Sequence, residues 1–182
     1  MALKSTIFKA DLQIADMDRH YYQDHSLTIA RHPSETDERM MMRLLAFVRH
    51  AHEMLVFAKG LSDVDEPDLW QKDLTGAIDL WIEAGLPDER RILKACGRAS
   101  QVAIYAYGST VNIWWGQIGN RVERARNLQV FHVASETSMA LAGLAQRTMQ
   151  LQCTVQDGQI WISNAEGTSV QVDVDALKTS SS

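Results

Sequence analysis

Little in this sequence announces a chemistry. It holds two cysteines, Cys96 and Cys153, far apart and outside any Cys-x-x-Cys spacing. Neither a disulfide framework nor a zinc ribbon is expected, and a reduced, cytoplasmic setting is the natural one. No run approaches the roughly 18 uncharged apolar residues of a membrane span. Lys4, Lys9 and Asp11 interrupt the opening stretch, so no signal-peptide core is expected. The phosphate loops G-x-x-x-x-G-K-[ST] and G-x-G-x-x-G are missing, as is the nucleophile elbow G-x-S-x-G. The histidines (20, 25, 32, 50, 52 and 132) are scattered. His50 and His52, expected on a helix, are two apart and cannot face one metal together. No repeat, low-complexity tract or Pro/Ser-rich linker divides the chain. One domain over 1–178 is therefore expected, with a disordered tail at 179–182.

What is present is ordinary in amount and unusual in arrangement. Apolar residues make up 46% of the 182 and charged residues 23%, as in a soluble globular protein. The net charge of −5 argues against a nucleic-acid binder. Yet residues 53–89 carry ten acids against Lys59 and Lys72, and residues 90–126 carry seven bases against Glu123. An acidic stretch followed by a basic one is what a metal-and-phosphate site would show. Solvated loops beside one basic helix face would show it too.

Periodicity places the elements. Thr6–Ile14 and Tyr21–Ala30 alternate and read as an N-terminal β-hairpin. Pro33-Ser34 opens a helix with Ser34 as N-cap, and Met41, Leu44, Leu45 and Val48 carry it to about Glu53. Leu55–Ala58 reads as a short strand, residues 61–68 as an acidic loop, and Ala77–Ala84 as a central strand. A helix over about 88–100, a strand over Val102–Tyr107 and a helix over Val111–Arg126 follow. That last helix is expected to turn Ile113, Trp114, Ile118 and Val122 inward. A strand over Leu128–Ala134 and a short helix from Ser135 precede three closing strands, two of them joined by Asp157-Gly158. The fold class is mixed α/β in one domain.

Carboxylates inside apolar segments are the candidate chemistry. Asp79 and Glu83 interrupt the central strand, and Glu38 lies on or beside the buried stripe of the first helix. Such acids need a partner, a proton or a metal. Mg²⁺ takes one or two carboxylates with waters and phosphate. Exposure of one sheet face, or neutralisation by Arg90, Arg91 or Lys94, would answer the same pattern. Asp79 and Glu83 stand about 13 Å apart on one strand at ~3.3 Å per residue. They cannot both ligate one ion without a sharp bend.

Four blocks carry a resemblance. Ala30-Arg31-His32-Pro33-Ser34-Glu35-Thr36 leads into Asp37-Glu38-Arg39-Met40-Met41. Ile78-Asp79-Leu80-Trp81-Ile82-Glu83, Gly85-Leu86-Pro87-Asp88-Glu89-Arg90-Arg91 and Val155-Gln156-Asp157-Gly158 follow in order. Together the chain closely resembles the bacterial YaeQ family over essentially its whole length. The resemblance implies a variant of the PD-(D/E)xK restriction-endonuclease-like core, here with extra N- and C-terminal β-hairpins. On that pattern Glu38 matches the helix glutamate and Pro67-Asp68 the Pro-Asp element. Glu83-Ala84-Gly85 matches the (D/E)xK element in its acid but not its lysine. Asp79 is the alternative acid, favoured as a partner of Glu38, and Lys94 could stand in for the lysine.

Two functions follow as expectations. The first is a Mg²⁺-dependent nuclease or nuclease-like protein acting on nucleic acid. Asp79, Glu38 and Asp68 would ligate the metal, Glu83 would assist, Lys94 would stabilise developing charge, and Arg90, Arg91 and Arg98 would hold phosphates. With no sequence-reading element, contacts to nucleic acid would go to its backbone. The second is a non-catalytic interaction module on a degenerate nuclease-like fold. No membrane partner is expected, and nothing sets an oligomeric state.

Overall fold

A computed structural model describes residues 4–181. In chain order the elements are β1 (Thr6–Asp16), β2 (Tyr21–Arg31), α1 (Asp37–Arg49), β3 (Leu55–Phe57), β4 (Leu69–Lys72) and β5 (Ile78–Ala84). Then come α2 (Glu89–Arg98), β6 (Ala99–Tyr107), α3 (Val111–Val122), β7 (Leu128–Val133) and α4 (Ser135–Ala142). The chain closes with β8 (Thr148–Gln156), β9 (Gln159–Asn164), β10 (Ser169–Asp173) and β11 (Asp175–Lys178). The fold is mixed α/β, with helices and two mixed sheets. It divides into two compact units, residues 1–49 with 136–174, and residues 50–135 with 175–182. No described helix is long and apolar enough to cross a membrane.

The first unit is built on a five-stranded sheet in the order β10-β9-β8-β1-β2. β1 alternates strictly, burying Phe8, Ala10, Leu12 and Ile14 and exposing Lys9, Asp11 and Gln13 between them. That period of two is what a sheet with one wet face requires. Two antiparallel hairpins, one from each end of the chain, are joined by a parallel β1–β8 contact running from Lys9↔Thr148 to Asp16↔Val155. The C-terminal hairpin turns at Asp157 and Gly158, both at positive φ (53° and 78°), the tight turn that their sequence demands. The Asp18 carboxylate accepts both of that turn's N–H groups, at 2.8 and 2.9 Å, and so ties it to the β1–β2 turn.

α1 is buried from Met40 through Val48. It starts later than its Pro-Ser opening suggests. Thr36, not Ser34, accepts the N–H of Arg39 and caps the helix. It also stops sooner, at Arg49, so His50 and His52 follow the helix rather than ride on it.

The second unit carries a six-stranded sheet in the order β11-β7-β6-β5-β4-β3. β3, β4 and β5 form an antiparallel meander, and β5, β6 and β7 run parallel. Ile92 and Ala95 of α2 join Val111, Trp114, Ile118 and Val122 of α3 in a core over β5–β7. Ile113 does not point inward as expected. It is 64% exposed, because Val111 takes the first inward position and the stripe continues through 114, 118 and 122. Two strands have no clear signal in the sequence. β4 is short, and β11 lies at the very end, antiparallel to β7. Beyond β11, the Ser181 N–H donates to the Arg126 carbonyl at 2.9 Å. Ser182, the last residue of the expected tail, lies outside the described residues.

Candidate functional site

The acidic meander of the second unit gathers most of the candidates. Asp68 stands just before β4 and is 3% exposed. Its N–H donates to the Ile82 carbonyl at 3.1 Å, while its Oδ2 accepts the Ala84 N–H at 2.8 Å. The register Leu69↔Ile82 thus carries the Pro-Asp element onto the strand segment that holds Glu83. Gly60 is needed here. It sits at φ +53°, and a Cβ on it would lie 2.7 Å from Asp68 Oδ1.

Glu83 is 4% exposed, and its Oε1 is gripped by Arg91 through Nε at 2.7 Å and Nη2 at 2.5 Å. The same guanidinium donates to the Val64 carbonyl at 2.8 Å and the Glu66 carbonyl at 3.1 Å. Arg91 is itself positioned by the helix start, where Asp88 accepts its N–H at 2.8 Å as N-cap of α2. One planar cation therefore closes the acidic loop over the end of β5, a use that suits arginine's fork of donors.

Burial pushes the Glu83 carboxyl above its ordinary value; Arg91 pulls the other way and Asp68 adds to the rise. The Trp81 indole N–H acts weakly in the direction of Arg91. That contact is loose, because the buried N–H meets no acceptor in good hydrogen-bond geometry.

The other candidates have surroundings of their own. Asp79 is half-buried and is the extra residue of a β-bulge: Gln71 pairs with Leu80 and Lys72 with Ile78. The bulge breaks the alternation that put Asp79 and Glu83 on one face. Lys94 Nζ meets the Asp65 carboxylate at 3.2 Å, with both side chains about two-thirds exposed (64% and 66%). Arg98 donates to the Asp65 carbonyl at 2.7 Å and lies over the Trp81 ring at 4.9 Å. Arg90 is exposed.

Glu38 belongs to the first unit, where it is half-buried near the start of α1. The buried acid of that region is its neighbour Glu35. Arg43 grips both Glu35 oxygens at 2.6 and 2.9 Å, and Arg39 adds a contact at 2.6 Å. Sequence reasoning missed Glu35 although it stands in a quoted motif. It stands before the Thr36 cap, outside α1, so helical spacing gave no signal for its pairing with Arg39 and Arg43. Asp65, partner of Lys94, was also missed, since a loop acid has no periodicity to betray its neighbours.

A resident Mg²⁺ fits this cluster poorly. Among the described residues no group of three or more His, Cys, Asp or Glu side chains is placed to hold a metal ion. Glu83 accepts from two guanidinium nitrogens, and Asp68 from a backbone N–H. A hard divalent cation seeks free carboxylate oxygens, and it would here meet a fixed positive group.

Comparison with known proteins agrees with the resemblance carried by the four blocks. The family model for YaeQ protein matches residues 1–174. The YaeQ protein of Salmonella typhi is 52% identical over 166 residues, covering 91% of this chain and 92% of the relative. That of Escherichia coli K12 is 51% identical over 165 residues, covering 90% and 91%. The crystal structure of YaeQ from Xanthomonas axonopodis pv. citri superposes with a TM-score of 0.92 at 46% identity, covering 96% of this chain and 99% of that one. The Pseudomonas syringae YaeQ structure gives 0.92 at 35% identity, covering 96% and 97%.

Proposed function

The chain belongs to the YaeQ family, and from that premise we propose that it is a non-catalytic interaction module on a restriction-endonuclease-like frame. One observation carries the reading. Arg91 engages Glu83 and two carbonyls of the acidic loop, where a nuclease of this fold would keep carboxylate oxygens open for Mg²⁺. The residue pattern agrees: Gly85 stands where the lysine of the (D/E)xK element belongs, and Lys94 pairs with Asp65. The acidic pair on this reading holds a loop in place. Nucleic acid, if it is the partner, is met along its backbone by exposed cations such as Arg90, without cleavage.

The test is calorimetric titration of Mg²⁺ and Mn²⁺ into the whole protein, beside incubation with plasmid DNA, single-stranded DNA and RNA. No saturable binding at millimolar metal and no cleavage are expected. Saturable binding that is lost in Asp68→Asn or Glu83→Gln, together with cleavage, would overturn the reading in favour of a Mg²⁺-dependent nuclease.

That second reading has an observation of its own. Asp68 and Glu83 are both buried, and Asp68 stands close enough to push the Glu83 carboxyl up. Pairs of carboxylates tuned in this way gather at active sites. For the nuclease, Arg91 would have to withdraw from Glu83 first. Arg91→Gln should then raise metal affinity, whereas in a non-catalytic module it only loosens the loop.

A further inference from the structure

The opposite kind of surface lies on the first unit, far in character from the charged meander. The exposed face of its sheet is laid out in rows across the strands. Tyr22 pairs with Ala15, Ala15 with Thr154, and Thr154 with Trp161. The next row is Asp24, Gln13, Gln152 and Ser163, and the third sets Asp11 beside Gln150. Ile160 and Ile162 are buried on either side of Trp161, so the pleat turns the indole toward this outer face. Two open depressions share these rows. One of about 500 Å³ is lined by Asp11, Gln13, Gln150 and Gln152, and one of about 440 Å³ by Gln13, Tyr22, Asp24 and Gln152. They meet at Gln13 and Gln152, whose amides bond to each other at 3.3 Å.

We infer that this face is a binding trough for a neutral, polyhydroxyl ligand of the oligosaccharide class. Each primary amide offers two donors and an acceptor, and each carboxylate two acceptor oxygens, the set that neighbouring hydroxyl groups need. Tyr22 is 58% exposed and Trp161 half-buried. They stand three strand intervals apart, about 14 Å, with only Ala15 and Thr154 between them. Two aromatic side chains on the row beside a polar floor suit a chain of rings whose C–H faces are apolar and whose edges are polar.

Charge excludes the obvious competitor. The charged side chains on these rows, Asp11 and Asp24, are both negative, so a polyphosphate backbone is repelled. The floor of amides and carboxylates also lacks the apolar centre of a protein interface. The inference does not rest on the reading of Asp68 and Glu83, which lie in the other unit.

The test is an NMR titration of the full-length protein with maltohexaose, cellohexaose and chitohexaose. At least one is expected to shift the side-chain amide signals of Gln13 and Gln152 and the indole N–H of Trp161, with millimolar affinity. The double variant Gln13→Ala/Gln152→Ala touches only exposed side chains. It should weaken binding by roughly tenfold, the scale of one lost hydrogen bond, with an unchanged melting temperature. Trp161→Ala should weaken it as well. Silence of these signals with all three sugars overturns the inference. So does binding that the double variant leaves intact, or a single-stranded DNA oligonucleotide that shifts the same signals.

Discussion

The two units handle polarity in opposite ways. In the second, the acids of the meander are answered within the unit by cations of α2. Arg91 takes Glu83, Lys94 takes Asp65, and Arg98 holds the carbonyl of Asp65. In the first, Arg43 and Arg39 settle one buried acid, Glu35, while the sheet presents amides beside Asp11 and Asp24 to solvent. The contrast teaches how to read the charge pattern. A run of acids followed by a run of bases looks like an advertisement for metal and phosphate. Much of it is internal neutralisation, because a loop and the helix that follows it are near neighbours in space. The unadvertised glutamines of β1 and β8 line the open surface.

Breaking the buried pair of the first unit should cost most. Arg43→Leu removes the two-pronged partner of Glu35, whose side chain is 1% exposed, and leaves the Arg39 contact to answer it. Loss of about 3–5 kcal/mol is expected in urea unfolding. The equivalent cut in the second unit, Arg91→Leu, should cost less, about 2–3 kcal/mol, since Arg91 is 32% exposed and solvent compensates in part. Hydrogen exchange should then quicken over residues 63–66, where the guanidinium holds the carbonyls of Val64 and Glu66. Equal costs would erase the distinction between the two pairs.

Gly60→Ala forces a Cβ to 2.7 Å from Asp68 Oδ1 at positive φ, and about 1–2 kcal/mol of destabilisation is expected. Protonation sharpens the comparison. Glu83 has a carboxyl raised by burial, so the folded state holds its proton more tightly than the unfolded one. Stability from this group is therefore fullest below the ordinary value of 4.5 and falls as pH rises through the raised one. Denaturation followed from pH 4 upward should show that fall in the wild type and not in Glu83→Gln. Least of all, Lys94→Ala should change stability by under about 0.5 kcal/mol, because its ion pair is exposed. A larger loss would mean that Lys94 does more than cover a surface.

How far the chain could be read in advance varied with the locality of the cause. The hairpin of β1 and β2, the Asp88 start of α2 and the Asp157-Gly158 turn were legible, since each depends on residues a few positions apart. The N-cap of α1 was missed by two residues because Ser34 and Thr36 are both cap formers and the backbone turn at His32 decides between them. The inward face of α3 was misjudged at Ile113, where a shift of one residue in helix phase exchanges an inward position for an outward one. Among the candidate acids, Pro67-Asp68 and Glu83 are brought together by strand register, while a bulge sets Asp79 apart.

By itself the sequence determined the mixed α/β class, the family and the position of most elements. Periodicity, capping and turn chemistry act over one turn or one pleat, within reach of the chain's own neighbours. Only the tertiary structure decided that hairpins from opposite ends share one sheet through β1 and β8. It likewise decided that β11 returns to β7, and that Arg91 rather than an open oxygen answers Glu83. Those facts rest on contacts between residues far apart in the chain. Burial and electrostatic pairing choose among many such partners only when the whole core assembles.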